Sequence, residues 1–250
     1  MNYKIAMNFN CQYSWAIECV ESIKAQKFDG DVKIFALDDA SKDVENVSGY
    51  DSIVKEVDAV SIRNIVNMGA AKARWDLINI IMEDTPKEEY DSSTIVFIDG
   101  DDCFFHDEVL DDLEVCYNGD AKMVFGWING HTQPKYTEKQ KQEANYYNYP
   151  WAVNSIRTCR LTVLDNVNLQ PSHFQFKGKW ITHTSDQALW LPILEQFKPQ
   201  GNDLQYVSRP NLFYRMHPEN DHVEQRSRSK QLWTEKLCRD KKLDFHRTEN

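Results

Sequence analysis

Asp99, Asp101 and Asp102 fall within four consecutive residues at the end of Thr94-Ile95-Val96-Phe97-Ile98-Asp99-Gly100-Asp101-Asp102, with a single glycine among them. Carboxylates this close repel one another. A hard divalent cation with oxygen ligands, often one that also carries substrate phosphates, relieves that repulsion. Gly100 would let the chain turn so that Asp99 and Asp101 converge. Acidic residues and glycine are also ordinary turn-formers, so a solvated loop after a strand fits the same letters. The preceding residues say where the acid is delivered. Ile95 to Ile98 are β-branched or aromatic without polar alternation, the pattern of a strand covered on both faces in a parallel sheet. Ligand sites in such sheets lie beyond the carboxyl ends of the strands, where the three aspartates fall.

Other stretches supply comparable groups. Val32 to Leu37 reads as a strand that runs into Asp38-Asp39-Ala40-Ser41, so two strands end in acid. Arg74 follows the small residues of Asn67-Met68-Gly69-Ala70-Ala71-Lys72-Ala73, in the first turns of a helix. Its guanidinium would pair with Asp38, reach an anionic or nucleobase ligand, or make a plain structural ion pair. Asp186 belongs to the polar cluster His183-Thr184-Ser185-Asp186 ahead of an apolar helix, where Ser185 or Asp186 would serve as N-cap. His217 closes Asn211-Leu212-Phe213-Tyr214-Arg215-Met216-His217, and a lone histidine is more often structural than a ligand.

The elements that must position these groups alternate. Tyr3 to Asn10 reads as a strand, Ser14 as the N-cap of a helix with Ala16, Cys19, Val20 and Ile23 on its apolar face, and Val57 to Arg63 as a third strand. The helix after Gly69 would turn Ala70, Ala73, Leu77, Ile80 and Ile81 inward. Strand, helix, strand, strand, helix, strand predicts an α/β fold with a mostly parallel central sheet and helices on both faces. No G-x-G-x-x-G follows the first strand and no G-x-x-x-x-G-K-[ST] occurs, so carboxylates with metal must handle any phosphate.

With 250 residues, 41% of them hydrophobic, the chain can bury one large core. Its 29 Lys and Arg against 39 Asp and Glu give a net charge of -10, which repels nucleic acid and anionic lipid at long range unless a local basic patch overrides it. Six cysteines without a C-x-x-C pair fit reduced thiols in a cytoplasmic protein rather than zinc. No signal peptide is evident, and no apolar run approaches the roughly 20 residues that span a bilayer.

Three motifs in order carry a family resemblance: Leu37-Asp38-Asp39-Ala40-Ser41-Lys42-Asp43, Asn67-x-Gly69-x-x-x-Ala73-Arg74, and Asp99-Gly100-Asp101-Asp102. Together they resemble the D-D-x-S-x-D, N-x-G-x-x-x-A-R and D-x-D-D of family-2-type glycosyltransferases with the GT-A fold. The resemblance implies an inverting transferase with a nucleotide-sugar donor, usually a UDP-sugar, and Mn2+ or Mg2+ on its diphosphate. It implies that Asp38 or Asp39 binds base or ribose, that Arg74 helps hold the nucleotide, and that Asp99 and Asp101 form the pair at ribose and metal, with Asn8 and Gly100 also on the donor side. It implies Asp186 as catalytic base, although Ser185 stands where the family carries a glutamate, and His217 as a further metal ligand. The loop Asn8 to Tyr13 departs from the family in lacking proline.

From Ile128 to Trp180 the periodicity decays among Tyr136, Tyr146, Tyr147, Tyr149 and Trp151. Either these line an acceptor lobe, with Trp127, Tyr149, Trp151 and Asp102 as acceptor-binding candidates, or they pack a long connection over the sheet. Residues about 1–120 would then be the donor half, about 121–220 the acceptor half, and 221–250 a basic tail. Between Glu224 and Arg247 eight basic residues face four acidic ones, a net +4, and Leu232, Trp233 and Leu237 would make one apolar stripe. The tail would dock on its own domain, make an oligomer contact, or attach to an anionic membrane or nucleic acid, docking being the default. The acceptor would be a glycan, a glycolipid or another hydroxyl, with a nucleic-acid base disfavoured by charge. Two other readings stand beside transfer: a nucleotidyltransferase, and a non-catalytic sugar-binding protein on the same fold.

Overall fold

The computed structural model describes residues 1–42, 45–217 and 225–245; Asp43 of the first motif, and Glu224 and Arg247 of the tail, lie outside them. The amino-terminal half alternates β1 (Asn2–Phe9), α1 (Tyr13–Lys24), β2 (Asp31–Asp38), α2 (Val47–Glu56), β3 (Val60–Arg63), α3 (Ala70–Asp84) and β4 (Ser93–Asp99). A helix therefore separates β2 from β3, where the sequence pattern suggested direct succession. Ser48, Gly49, Asp51 and Ser52 are poor helix formers and obscure α2, while Tyr50, Ile53 and Val54 supply its buried face. After β4 come β5 (Cys103–Phe104), α4 (Val109–Asn118), β6 (Met123–Phe125), α5 (Glu138–Glu143), β7 (Arg157–Arg160), α6 (Leu161–Asp165), β8 (Gln175–Phe176) and β9 (Lys179–Trp180). The described chain ends with α7 (Ser185–Phe197), β10 (Leu204–Tyr206), β11 (Leu212–Phe213) and α8 (Gln225–Arg239).

Seven strands form one sheet in the order β10-β6-β7-β4-β1-β2-β3. β3, β2, β1 and β4 are parallel, and β7 enters antiparallel between β4 and β6. The uniform apolarity of β4 has its expected cause. Ile95 and Phe97 pack into a core with Leu77, Ile81 and Trp190 of α3 and α7, while Val96 and Ile98 pack into a second core with Val20 and Leu113 of α1 and α4. Register aligns Asn8 with Asp99 and Phe9 with Asp38, so the acidic strand ends finish level.

Several local expectations shift. α1 begins at Tyr13, before Ser14, and Gln12 holds the cap position without a side-chain bond; the apolar face is as read. The buried face of α3 is Ala71, Ala73, Arg74, Leu77, Ile78 and Ile81, which leaves Ala70 and Ile80 half-buried. Tyr136, Tyr146 and Tyr147 are core residues, because the long connection folds back over one face of the sheet. In α8, Thr234, Leu237 and Cys238 are buried but Leu232 and Trp233 remain 58% and 52% exposed, so the expected single stripe is split. The helix docks on its own domain: Thr184 Oγ1 donates to the Gln231 carbonyl (3.1 Å), and Arg239 Nη1 to those of Tyr147 and Tyr149 (3.1 and 2.7 Å). No helix among the described residues is long and apolar enough to cross a membrane. None of the six cysteines is in a disulfide.

Candidate active site

At the carboxyl ends of β1 and β4 a cleft of about 500 Å³ opens, within the range of small-molecule sites. Asn8, Arg74, Asp99, Asp101, Asp102, Trp151, Arg157, Asp186 and His217 line it. Each is placed by an identifiable device. Asp99 ends β4, and Gly100 passes so close beneath β1 that a Cβ there would lie 2.8 Å from Phe9 Cβ. The glycine thus answers a close approach, and it is buried under the site rather than lining it. β5 then pairs antiparallel with β11, which returns the chain so that Arg215 N donates to Asp102 Oδ1 (3.0 Å) and His217 Nε2 meets Asp101 Oδ2 at 2.9 Å. The His217 ring also packs on Trp15 of α1, centroids 4.6 Å apart.

Arg74 joins the two halves of the cleft. It is 7% exposed and donates twice to Asp99 (2.7 and 3.1 Å) and once to Ser185 Oγ at the start of α7 (2.5 Å). Its partner is therefore Asp99 rather than Asp38. Asp186 lies in the first turn of α7 and faces Arg157 of β7 (Nη2 to Oδ2, 3.1 Å). Neither Ser185 nor Asp186 caps that helix: Thr184 occupies the cap in a left-handed conformation, with no side-chain cap bond.

The carboxylates are treated unequally. Burial would push Asp99 upward, but Arg74 and Arg157, with hydrogen bonds from Arg74 and Asn8, hold it below the usual range. Asp101 is pushed up by burial and by Asp99, against the pull of His217. Asp102 is pushed well above the usual range by burial and by the charges of Asp101 and Asp99. Among the described residues, four carboxylates thus share the cleft with two guanidinium groups and the imidazoles of His183 and His217. Among the described residues no three carboxylate, imidazole or thiol groups gather closely enough to hold a metal by themselves. Asp101 and His217 do offer a pair. Hydrogen-bonded at 2.9 Å, the two are close enough that both could reach one cation in place of that bond.

Asp38 and Asp39 have other engagements. Asp38, 1% exposed, accepts from the Tyr13 hydroxyl (2.5 Å) and the Ser41 amide (2.8 Å) and pairs with Arg63 (3.2 Å). Asp39 accepts from Asn64 Nδ2 (2.8 Å) and the amides of Met68 and Gly69 (2.9 and 2.7 Å), fixing the turn in which Gly69 takes φ +87°. Asp39 borders a cavity of about 230 Å³ that shares Asn8, Ala70 and Thr182 with the main cleft; Asp38 lies outside both. Of the acceptor candidates, Trp151 and Asp102 line the cleft. Trp127 does not, its indole N–H donating to the His131 carbonyl (2.7 Å), and neither does Tyr149, whose hydroxyl donates to Glu143. Sequence reasoning missed Arg157, Asn154, Thr182 and Gln231. Only Arg157 left a trace, as the charge that opens β7 ahead of the buried Thr158 and Cys159.

The profile of "Glycosyl transferase family 2" matches residues 5–181. Among curated proteins no sequence match is found. Among solved structures, S. aureus TarS 1–349 in complex with UDP-GlcNAc superposes with a TM-score of 0.63 at 14% identity, covering 89% of this chain and 60% of that one. The longer S. aureus TarS gives 0.57 at 14% identity over 88% of this chain and 37% of that one, so the chain spans little more than a third of it. Glucosyl-3-phosphoglycerate synthase from Mycobacterium tuberculosis, in complex with Mn2+, UDP and glucosyl-3-phosphoglycerate, gives 0.55 at 14% identity, covering 95% and 79%. At such identity these likenesses speak for the fold.

Proposed function

Because the chain belongs to glycosyl transferase family 2 and has the GT-A fold, we propose that its cleft transfers a sugar from a UDP-sugar to a hydroxyl acceptor with inversion at the anomeric carbon. The observation that carries this reading is the Asp101–His217 pair beside an under-compensated run of aspartates at the end of β4. Asp101 and His217 would hold Mn2+ or Mg2+, with Asp99 alongside already engaged by Arg74. A divalent cation bound there supplies positive charge against the diphosphate. TarS and glucosyl-3-phosphoglycerate synthase, whose structures contain UDP-GlcNAc and UDP, support the choice of nucleotide.

The chain's own residues would work as follows. Asn8 and Asp39 border the donor side, and Arg74 keeps Asp99 oriented toward it. Trp151 offers a half-buried ring to the acceptor. Asp186 takes the proton of the acceptor hydroxyl while that oxygen bonds to the anomeric carbon from the face opposite the diphosphate. The bond from the anomeric carbon to the diphosphate oxygen breaks in the same step, and UDP leaves. Arg157 fixes the Asp186 carboxylate in place. A nucleotidyltransferase fits less well, since no lysine lines the cleft to cradle a triphosphate. Six cysteines without a disulfide support a reducing, cytoplasmic setting.

Calorimetric titration with UDP tests this. Binding is expected to strengthen with Mn2+, and Asp101→Ala to weaken it and abolish the response to the ion. Equal UDP binding by wild type and Asp101→Ala in Mn2+ and in chelator would remove the metal from the proposal.

A further inference from the structure

Many charged side chains of this acidic chain are paired, but the described cations along one face of α8 are not. Arg228, Leu232 and Lys236 follow at four-residue spacing along it, with Trp233 beside them. All four side chains are exposed. Trp233 meets Phe176 of the β8–β9 hairpin edge to face, centroids 5.3 Å apart, and that hairpin adds Lys177 and Lys179, also exposed. Arg228, Lys230, Lys236, Lys177 and Lys179 make no ion pair with a described residue. The described acids of the same segment are spent elsewhere: Glu235 on Arg239 and Gln187, Asp240 on Lys242, and Asp244 on the amides of Lys177 and Gly178. Against a net charge of -10, this is a local reversal of sign around a tryptophan and a leucine.

We propose that this face is a docking surface for an anionic lipid bilayer, with Trp233 and Leu232 entering the headgroup boundary and the surrounding lysines and arginine meeting the lipid phosphates. An indole and an aliphatic side chain ringed by long cationic stems suit that boundary, where the stems lie along apolar surface and the charges reach outward. Nucleic acid fits less well: Trp233 would stack a base, but the aliphatic Leu232 beside it, 58% exposed, gains more from an apolar boundary than from a base. The cleft lies next to this face, since Gln231 of α8 lines it. The docking does not depend on what the cleft transfers.

The full-length chain is sedimented with vesicles of phosphatidylcholine alone and with vesicles containing phosphatidylglycerol. The expected result is binding to the anionic vesicles only, weakened by salt. Arg228→Glu with Lys236→Glu should reduce it by roughly an order of magnitude or more. Leu232→Ser with Trp233→Ser should reduce it as far, with an unchanged Tm and unchanged UDP titration. Absence of binding, equal binding to both vesicles, or variants that bind like wild type would overturn the proposal. So would retention of single-stranded DNA through the same residues, or a dimer that the serine variant dissolves. Loss of UDP binding by the wild type would refute the transfer reading and leave this one intact.

Discussion

β2 and β4 lie in the parallel part of one sheet and both run into paired aspartates, yet the two ends have opposite characters. At the end of β2, Asp38 and Asp39 are almost fully buried and their carboxylates are met by donors from the protein: a phenol, a guanidinium, a side-chain amide and three backbone amides. At the end of β4, Asp99 takes Arg74, but Asp101 and Asp102 share a buried corner with one imidazole and one amide between them. One pair of acids closes a structure; the other leaves negative charge for something else to neutralise. The number of protein donors per carboxylate distinguishes them, and the amino-acid letters do not.

The comparison can be broken at three points. If the β4 end is where the reaction occurs, the acid that reaches it from α7 must matter to turnover. Asp186→Asn keeps the size and can still accept from Arg157, but it cannot take a proton, so kcat should fall about 10²–10⁴-fold with donor binding and Tm near wild type. Transfer within a few-fold of wild type on a working acceptor would move the base elsewhere. At the β2 end the loss should be of stability. Asp39→Ala strips the partner from Asn64 and the amides of Met68 and Gly69 in a half-exposed turn, and should cost about 1–3 kcal/mol in denaturant unfolding. A variant as stable as wild type that no longer binds UDP would make Asp39 a ligand group first.

The smallest effect has the opposite sign. Asp102, held above the usual carboxylate range, favours its protonated form in the fold, so its ionisation erodes stability as pH rises from that range through the raised folded value. Asp102→Asn can still accept from the Arg215 amide and removes the charge. It should raise Tm by a few degrees near neutral pH and leave it unchanged in acid, where Asp102 is neutral in both states. A Tm that drops at neutral pH would show that the site tolerates its crowded charge by some compensation not seen in these contacts.

The sequence made some of this legible for a definite reason. The β4 run, the acidic ends and the Asn67-to-Arg74 segment are local patterns, and local patterns survive in a linear reading. The α/β alternation followed from them, although α2 was lost among weak helix formers. What could not be read was who meets whom. Arg74 pairs with Asp99 and not Asp38, and Arg157 faces Asp186, because β7 inserts antiparallel beside β4. No spacing announces such an insertion. The tyrosines of residues 136–147 were ambiguous for the same reason: aromatics suit a sugar or a core, and only the path of the chain over the sheet decides.

Arg74 also bears on how this protein could be rebuilt. One guanidinium, rooted in the amino-terminal half, grips the end of β4 with one edge and the first residue of α7 with the other. Anyone exchanging the second half for that of a relative would cut across that grip. A chimaera with its junction between β4 and α7 must bring a hydroxyl to position 185 and a counterpart for Arg157, or retune both. The natural seam for such a graft therefore lies after the first turn of α7, not at the apparent midpoint of the chain.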